Sequence, residues 1–597
     1  MTQPGFGAVL RQLLPVAIPG PASGALERIL GFRQAEEIYQ DLLTKVDGRP
    51  LPEKLLNHLE VAYRVSERDL DRIPRKGPAV VVSNHPFGLL DGAILASVLL
   101  RLRTDVKFLA NRMLAAIPEI RDLLIPVDTM AAADSARVNG RRLKQAFDFL
   151  TSGGLLAVFP AGEVAHFQWK QRATADPVWK PAVTRIIAIA SRRVKNLSVI
   201  PAYVGGSNSL IFQALGLVHP RLRTAWLVRE LLNKRQRHIE LRIGQPVPVE
   251  RLLAIPSDEE RTGYLRWRAH LLAHRNQFKP RSGLPLGGRT STGAMLPIAA
   301  PLPVESLVRE VKGLSPLLRS GEFAVYLSPA ETIPALLEEI GRLRELAFRA
   351  AGEGTGKSCD LDSFDRYYLH LFLWNADKCE VVGAYRLGPV DLIERQFGVR
   401  GLYTATLFRY GPEFLDRLGP ALELGRSFIR LEYQRALAPL LLLWKGIGRF
   451  ITQNPRYKIL FGPVSISNQY QAISRQLMVS FLQRRESLSE WAALVSSRNP
   501  FRPRVPLVPE PASAGLDFED LSAAVADIEP GQPGVPVLLR QYLKLGGKLL
   551  GFNVDPEFAG ALDGLILVDL TRTEPKLLER YLGRAEAAQF LAFHSGG

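Results

Sequence analysis

The chain of 597 residues is too long for one small domain, because a single domain usually contains about 100 to 200 residues. Its 47% hydrophobic and 8% aromatic content excludes a disordered basic tail protein, so the net charge of +17 belongs to a chain that folds. This basic excess requires an anionic partner, and a lipid surface, a nucleic acid and an acidic carrier protein all satisfy it.

Cysteine content and hydropathy indicate the compartment of the protein and its relation to membranes. Cys359 and Cys379 do not make a disulfide framework in a chain this long, and neither lies in a CxxC or Cys/His cluster, so we expect a reducing compartment and no metal. No segment reaches the roughly 18 uninterrupted apolar residues that span a bilayer. The N-terminal segment has no charged side chain before Arg11 and contains Pro15, which makes it a poor secretory signal. We therefore expect a soluble or peripheral protein.

The first half alternates strand-like and helical patterns, which predicts an α/β domain at residues 1–275. Residues 276–305 are rich in proline, glycine and small polar residues without a helical or strand period, and they are predicted to form a linker. The predicted strands of this half are 79–83, 106–110, 155–159, 197–204 and 238–243, and the clearest helix is 135–150.

The second domain is placed at residues 306–597 and is also predicted to be α/β. A short polar connection at 375–379 favours an antiparallel strand pair, so we expect a mixed, largely antiparallel sheet with flanking helices. The Pro-rich stretch 499–511 is interpreted as an insertion loop within this domain. The predicted strands are 323–327, 367–374, 380–386, 401–410 and 422–429, with helices at 332–350 and 432–451.

A histidine directly follows the first predicted strand. The run VVSNHPFGLLDG at 81–92 places His85 after an apolar strand and Asp91 at the start of the next helix. A carboxylate in that position orients the imidazole and stabilises its protonated form, as a general base acting on a hydroxyl requires. Spacing alone leaves open that His85 caps a turn and Asp91 caps a helix.

Two later motifs favour the catalytic interpretation. Together with the run at 81–92, the sequences VFPAGE at 158–163 and VIPAYVG at 199–205 resemble, in order and spacing, the glycerolipid acyltransferase superfamily typified by the PlsC enzymes. The resemblance covers residues 55–249. It implies that a histidine deprotonates an acceptor hydroxyl, which attacks the thioester of acyl carrier protein or coenzyme A directly.

The same resemblance implies a role for each matching residue. His85 is implied to be the base and Asp91 its orienting partner, while Gly162 and Glu163 shape the acceptor pocket. The chain departs from the usual pattern at Ala161, where the family places an acid after proline, and at Met130, where a second motif usually ends in arginine. Because those family positions are linked to holding a glycerol phosphate, the departures predict an acceptor without a phosphate.

The second half carries its own set of charged residues. A buried glutamate paired with arginine can take a proton from an ammonium nucleophile, and arginine and aspartate side chains can organise an amino-acid pocket. Spacing alone favours a solvated charge network around an ordinary core. The residues concerned are Arg344, Asp360, Asp362, Asp365, Arg386, Glu423 and Arg426.

This constellation resembles the ornithine N-acyltransferases, which are related to acyl-homoserine-lactone synthases and have a GNAT-like fold. The stretches 457–467 and 538–547 add to the resemblance, which spans residues 322–583. Such enzymes transfer a 3-hydroxyacyl group from acyl carrier protein to the α-amine of an amino acid.

Carried over to this sequence, the resemblance assigns four residues. Glu423 is the candidate base, Arg386 and Arg426 fix it and the substrate carboxylate, and Arg344 helps to form the N-terminal pocket.

The whole chain resembles the bifunctional ornithine-lipid synthases, an O-acyltransferase domain followed by an N-acyltransferase domain. The resemblance implies that the C-terminal domain N-acylates ornithine and that the N-terminal domain then O-acylates the 3-hydroxyl of lyso-ornithine lipid. It implies acyl carrier protein as donor and partner, a membrane lipid surface as the second partner, no other cofactor and no nucleic acid. The expected location is peripheral, on the cytoplasmic face of the bacterial inner membrane.

Two alternatives remain open from the sequence. One is a phospholipid-remodelling lysophospholipid acyltransferase whose second half only binds the carrier. The other is a hemolysin-like membrane-binding protein that has kept the folds and lost the chemistry.

Overall fold

A computed structural model describes residues 21–127, 135–169, 173–275, 295–503, 515–532 and 534–595. The chain forms two units. The first contains the described residues up to 275 together with 515–532, and the second contains 295–503 together with 534–595. Both units are mixed α/β structures, which confirms the predicted class.

The first unit is built on a seven-stranded sheet with the strand order β1-β9-β8-β2-β5-β3-β4. All neighbours are parallel except β8 and β9, which are antiparallel. The central strands are continuous apolar runs because helices cover both faces of a parallel sheet. The nine strands of this unit, including a separate β6–β7 pair, are β1 Ala62–Arg64, β2 Ala79–Ser83, β3 Val106–Asn111, β4 Leu124–Val127, β5 Leu155–Val158, β6 His166–Gln168, β7 Ala173–Ala175, β8 Ser198–Val204 and β9 His238–Ile243.

Helices surround this sheet and complete one apolar core. The helix that follows β2 buries almost its whole length, which explains why its sequence is apolar on every side. The helices up to residue 275 are α1 Pro21–Leu30, α2 Phe32–Thr44, α3 Leu51–His58, α4 Glu67–Leu70, α5 Leu89–Leu102, α6 Pro118–Arg121, α7 Ser135–Thr151, α8 Ala182–Ala190, α9 Leu210–Val218, α10 Pro220–Leu232, α11 Val249–Ala254 and α12 Asp258–Leu271.

The second unit contains an eight-stranded sheet with the order β10-β11-β12-β13-β15-β16-β19-β18. Its neighbours are antiparallel except β15 and β16, which run parallel, so the predicted largely antiparallel sheet is observed. The strands, including a separate β14–β17 pair, are β10 Leu318–Ser320, β11 Phe323–Pro329, β12 Leu369–Asn375, β13 Glu380–Pro389, β14 Phe408–Tyr410, β15 Ala421–Ile429, β16 Ile459–Ile466, β17 Val495–Ser497, β18 Lys548–Asp555 and β19 Ala561–Asp569.

Two apolar clusters and a set of helices flank the second sheet. One long helix packs against β13 and β15, and another packs against β11, β12 and β13. The remaining helices in chain order are α13 Val304–Lys312, α14 Pro334–Ala350, α15 Val390–Phe397, α16 Glu413–Leu418, α17 Ala438–Gln453, α18 Ala472–Arg485, α19 Ser489–Ala492, α20 Phe518–Ile528, α21 Val537–Lys544, α22 Pro575–Leu582 and α23 Arg584–Ser595.

Helix α20 belongs to the first unit although it lies far along the chain. Its Asp527 forms a buried ion pair with Arg268 at 2.7 Å, and its Asp520 accepts a hydrogen bond from the Tyr264 hydroxyl at 2.8 Å. The prediction of two consecutive domains placed residues 515–532 in the second domain, whereas the structure places them in the first unit. A pattern of apolar residues does not say which core a helix joins. Of the Pro-rich stretch 499–511, residues 504–511 lie outside the described residues, as do 276–294 of the predicted linker.

The predicted strand at 401–410 is wrong for most of its length. Residues 399–406 form short 3-10 turns, and only Phe408–Tyr410 is a strand. The backbone N–H groups of Tyr403 and Thr404 donate to the side chains of Tyr368 and Glu423 instead of to a neighbouring strand. At this position the backbone N–H groups bond to side-chain acceptors, so they do not form the hydrogen bonds of a strand pair.

None of the helices in the described parts of the chain combines the length and the apolar composition needed to cross a bilayer.

Candidate functional site

The first site lies where β2 ends, at the carboxyl edge of the parallel strands. Asn84 fixes the turn, because its amide donates to the Val204 carbonyl at 2.9 Å and accepts from the Val204 N–H at 2.7 Å. The backbone of His85 is held on both sides, since its carbonyl accepts from Ala165 at 2.8 Å and its N–H donates to Asp176 at 3.2 Å. The carboxyl edge of a parallel sheet is where α/β proteins bind their ligands.

His85 and Asp91 form a dyad. The Nδ1 atom of His85 lies 2.9 Å from Oδ2 of Asp91, a residue with 0% exposure. The same carboxylate oxygen accepts from the N–H groups of Phe87 and Gly88 at 2.8 and 2.9 Å. Burial raises the pKa of Asp91, and the contacts with His85 and these N–H groups oppose that effect. The carboxylate assigns the proton to Nδ1 and leaves Nε2 of His85 as the acceptor for a substrate proton.

Helix α5 begins at the dyad. Gly88 is its N-cap residue with φ of 94°, a backbone conformation that favours glycine. Asp91 is the third residue of this helix and caps it, as the alternative interpretation of the sequence had it. Capping and orienting the histidine are therefore done by one side chain.

The imidazole lines an apolar cavity of about 670 Å³. The ring of Phe159, next to β5, stacks on the His85 ring with centroids 4.3 Å apart and an interplanar angle of 22°. Helices α2, α5 and α10 and strand β3 all contribute residues to the wall of the cavity. Its apolar lining includes Ile38, Leu42, Leu55, Ala93, Phe108, Leu114, Ile117, Leu227, Val228 and Leu231. Such a lining suits a hydrocarbon chain.

Gly162 and Glu163 line the same cavity. Gly162 has φ of 69°, and a side chain there would approach Nζ of Lys180 to 3.2 Å. Glu163 pairs with Arg223 at 3.1 Å, and burial lowers the pKa of that arginine. The structure thus brings together the four residues predicted for this site and adds Lys180 and Arg223 as cationic groups at the cavity. Sequence spacing contained no signal for the two cations, which lie on other elements.

Of the two departures noted in the motifs, Ala161 is buried beside the cavity, whereas Met130 lies outside the described residues.

The three arginines predicted for the second site are joined by three aspartates. Nε of Arg344, on α14, lies 2.7 Å from Asp360, and its guanidinium also pairs with Asp365 at 2.9 Å. Arg386, on β13, pairs with Asp362 at 2.7 Å and with Asp365 at 3.3 Å. The pKa of Asp365 is lowered, because the charges of Arg344 and Arg386 outweigh its burial. The solvated charge network considered as an alternative is excluded, since this network is buried.

Arg426 reaches the network from a β-bulge. The register of β13 and β15 shifts between Ala384 and Arg386, and Arg426 has φ of 47° at that irregularity. A positive φ is unusual for a residue with a side chain and re-aims it. Its guanidinium lies 3.2 Å from Asp362 and stacks over the Phe558 ring at 4.2 Å.

Glu423, on β15, is enclosed in the second core. Its carboxylate accepts from the Tyr368 hydroxyl and from the Thr404 N–H, the latter at 2.6 Å. Burial raises its pKa, and these hydrogen bonds oppose the rise. The Tyr368 ring also lies 5.1 Å from the Arg386 guanidinium, so Glu423 meets the arginine network through Tyr368.

The structure adds a group of carboxylates that sequence reasoning missed. Asp555 ends β18 and Asp563 lies in β19, both 4% exposed, and Glu353 follows α14. Burial raises the pKa of Asp563 well above its usual range, and the negative charges of Asp555 and Glu353 add to the rise. No motif indicates this group, because Asp555 and Asp563 become neighbours only through the pairing of β18 and β19, and Glu353 lies about 200 residues earlier in the chain.

Glu353 provides a test of this environment. Burial raises its pKa from 4.5 to about 7, so the folded chain binds more protons than the unfolded chain between those values. Its contribution to stability is fully present below about pH 4.5 and is lost as pH rises through 7. We expect Glu353→Gln to raise the unfolding temperature at about pH 8 but not at about pH 4. Calorimetry at both values measures this, and an equal shift at both contradicts it.

Comparison with known proteins agrees with this division of the chain. Residues 55–277 match the family described as acyltransferase, and residues 343–445 match the acetyltransferase (GNAT) domain. The first match contains the His85 dyad, and the second contains Arg344, Arg386 and Glu423.

Relatives with assigned activities are similar over part of the chain. A glycine N(alpha)-acyltransferase of Bacteroides thetaiotaomicron is 31% identical over 265 residues, which is 41% of this chain and 76% of that protein. A second, of Phocaeicola vulgatus, is 38% identical over 173 residues, 27% of this chain and 52% of the relative. A lyso-glycine lipid O-acyltransferase of B. thetaiotaomicron is 28% identical over 200 residues, 31% of this chain and 66% of the relative.

Proposed function

The chain belongs to the family of the B. thetaiotaomicron glycine N(alpha)-acyltransferase, and from this premise we propose that its two units catalyse consecutive steps of aminolipid synthesis. It is an acyltransferase with an acyltransferase domain and a GNAT domain. In the proposal the second unit joins a 3-hydroxyacyl group to the α-amine of an amino acid. The first unit then acylates the 3-hydroxyl of that lyso-aminolipid.

One observation carries the proposal: the His85–Asp91 dyad at the wall of an apolar cavity of about 670 Å³. Nε2 of His85 takes the proton of the acceptor hydroxyl, and the oxygen attacks the carbonyl carbon of the acyl thioester. The carbon–sulfur bond breaks, and the thiolate receives the proton from the imidazolium. Asp91 stabilises the imidazolium between these two transfers. The cavity holds an acyl chain beside the reacting atoms.

The acceptor and donor follow from the same chemistry. A 3-hydroxyacyl amide supplies a hydroxyl without a phosphate, which agrees with the motif departure at Ala161. Acyl carrier protein is acidic, so it suits a chain with a net charge of +17. We propose acyl carrier protein as the donor and no further cofactor.

The proposal also concerns the identity of the amino acid that the second unit acylates. The resemblance of the second half to ornithine N-acyltransferases favours ornithine, whereas the names of all three relatives given above contain glycine. We propose ornithine as the substrate with glycine as the competing outcome. The test is to express the chain in a host without aminolipids and to identify the phosphorus-free, ninhydrin-positive lipid by mass spectrometry. No new lipid would contradict the proposed function, and a glycine lipid would correct the amino acid.

We further propose that the first unit takes up its lipid acceptor from a membrane surface through α9. This helix carries no charged residue, and it exposes Leu210 at 87% and Val218 at 75%, with Ile211 and Leu217 also exposed. Phe212, on the same helix, lines the cavity. An apolar helix face that adjoins the cavity fits an amphiphilic lipid entering from a bilayer, and the basic charge of the chain fits anionic head groups.

The matched leucines Leu210 and Leu437 test this proposal, because both are 87% exposed. Leu210→Asp should lower binding to phosphatidylglycerol-containing vesicles by roughly tenfold, since it removes one buried leucine from the bilayer contact. Leu437→Asp, in the second unit, should bind like the wild-type protein. Sedimentation with vesicles measures both. Equal losses in the two variants would indicate a charge effect and would contradict a role for α9.

A further inference from the structure

Asp555 and Asp563 stand out among the buried aspartates of the second unit. Asp360, Asp362 and Asp365 each pair with an arginine within 3.3 Å. Within the described part of the chain, neither Asp555 nor Asp563 forms an ion pair. Among the described residues, Asp563 accepts a hydrogen bond from the Ser465 hydroxyl at 3.0 Å, and Asp555 accepts one from the N–H of Glu557 at 2.9 Å. The charge of Arg426 acts on both aspartates without forming an ion pair with either. A buried carboxylate without a paired cation is costly unless it keeps a proton, and a bound ammonium group would supply that cation.

Unsatisfied donors in the same region point independently to a ligand that carries acceptor oxygens, as the carboxylate of an amino acid does. Asn553 lies directly opposite Asp563 in the register of β18 and β19, so the two side chains share one face of the sheet. Asn553 is 0% exposed, and its Nδ2 has no hydrogen-bond acceptor among the described residues. Arg386, 1% exposed, likewise has Nε and Nη2 without an acceptor. Buried donors of this kind are rare unless a bound group completes them.

Strands β15 and β16 separate near the arginines and aspartates of this region. The register of the parallel strands β15 and β16 ends at Glu423 and Phe461, although β15 continues to Ile429 and β16 to Ile466. Arg426 is beyond this point on β15, and Ser465, which donates to Asp563, is beyond it on β16. The Tyr403 hydroxyl accepts from Arg426 at 3.3 Å, and the Tyr403 ring lies 5.0 Å from the Arg386 guanidinium. The charge of Arg426 opposes the rise in the pKa of Asp555 and of Asp563, so guanidinium and carboxylate groups act on each other in this region.

We propose that Asp555 and Asp563 bind the ammonium group of the amino-acid substrate and that Asp563 removes its proton. This assignment rests on the proposed N-acylation. It replaces Glu423 as the base, because both oxygens of Glu423 are occupied by Tyr368 and Thr404 in an enclosed core. Glu423 then acts as a positioning residue for Tyr368 and the turn at 399–406. Guanidinium and carboxylate groups in one region match the two charges of a zwitterion.

The proposed N-acylation begins with a proton transfer to Asp563. The carboxylate of Asp563 takes one proton from the ammonium, and the neutral amine attacks the carbonyl carbon of the acyl thioester. A carbon–nitrogen bond forms, the carbon–sulfur bond breaks, and the thiolate leaves. The second proton lost from nitrogen passes to the thiolate, so that a free carrier thiol and an amide are the products. The raised pKa of Asp563 supports this role, since it brings the carboxylate closer in basicity to the amine.

The experiment uses the purified full-length chain with a 3-hydroxyacyl carrier thioester and either ornithine or glycine, and it follows thiol release and amide formation across pH. Asp563→Asn should lower N-acylation by about 10²- to 10⁴-fold at pH 7. The loss should shrink as pH approaches the pKa of the free amine, because the substrate then arrives already deprotonated. Asp569→Asn, at the far end of the same strand, should remain at the wild-type rate.

Three results would overturn the assignment alone. They are a wild-type rate in Asp563→Asn, a loss that does not change with pH, or recovery at high pH in Glu423→Gln instead. O-acylation of supplied lyso-aminolipid by Asp563→Asn should persist, because that step is proposed for the first unit, and recovery of N-acylation at high pH shows that the second unit is folded. If the wild-type chain makes no amide with either amino acid, the proposed function fails and the assignment fails with it.

Discussion

In a host that makes no aminolipid of its own, His85→Ala should accumulate the mono-acyl lyso-aminolipid and make little of the diacyl form. In the proposed mechanism Nε2 of His85 is the proton acceptor of the O-acylation step, and removing a general base costs about 10²- to 10⁴-fold in rate. The N-acylation step is proposed to lie in the other unit and should continue. Thin-layer chromatography and mass spectrometry of lipid extracts measure the ratio of the two lipids. His166→Ala is the control, because His166 lies on β6 in the same unit and not at the cavity.

The opposite phenotype is expected when the second unit is disabled. Glu423→Ala leaves the Tyr368 hydroxyl and the Thr404 N–H without an acceptor in a buried position, so the second unit should lose activity. Neither lipid should then form in cells, because N-acylation supplies the hydroxyl that is acylated next. Extracts should still convert added lyso-aminolipid to the diacyl form. Accumulation of the mono-acyl lipid in Glu423→Ala would show that the two units had been assigned in reverse.

The second large effect concerns stability. Arg344→Met should destabilise the second unit by about 3–5 kcal/mol, because it removes the nearest cation of both buried Asp360 and buried Asp365 and leaves them only the longer contacts with Arg426 and Arg386. Arg572→Met is the matched control, since Arg572 pairs with Asp569 at 3.5 Å with its side chain 82% exposed. An exposed pair is worth less than about 1 kcal/mol. Denaturant unfolding followed by circular dichroism measures both changes, and equal changes would show that the network is dispensable.

Sequence periodicity identified the five inner strands of the first sheet, four adjacent strands of the second sheet and three of the described helices. Strands 79–83 and 238–243 match the structure residue for residue, and the helix predicted at 135–150 ends one residue later. Buried parallel strands are apolar runs and surface helices are amphipathic, so these patterns are local properties that one sequence reveals. The strand at 401–410 failed because its N–H groups bind side chains from distant elements, which no local pattern shows.

The dyad could be found from the sequence because its two residues are close in the chain. His85 follows β2 and Asp91 lies in the first turn of α5, so the distance of 2.9 Å between them is set by local geometry. The cavity beside them required the tertiary structure, since helices α2, α5 and α10 converge on it from positions far apart in the chain. Residue types alone do not say which apolar faces meet.

In the second unit the sequence determined the residues and the fold determined their partners. Arg344, Arg386 and Arg426 were recognisable as a set, but only the sheet and its bulge at Arg426 decided that three aspartates neutralise them. Asp555 and Asp563 escaped notice because a lone acidic residue in a strand carries no signal until cross-strand pairing places it beside another. Helix α20 joined the first unit for the same reason: Asp520 and Asp527 are ordinary in sequence, and their partners Tyr264 and Arg268 are fixed by the fold. Short-range geometry is encoded locally, whereas burial and charge pairing depend on contacts between distant segments.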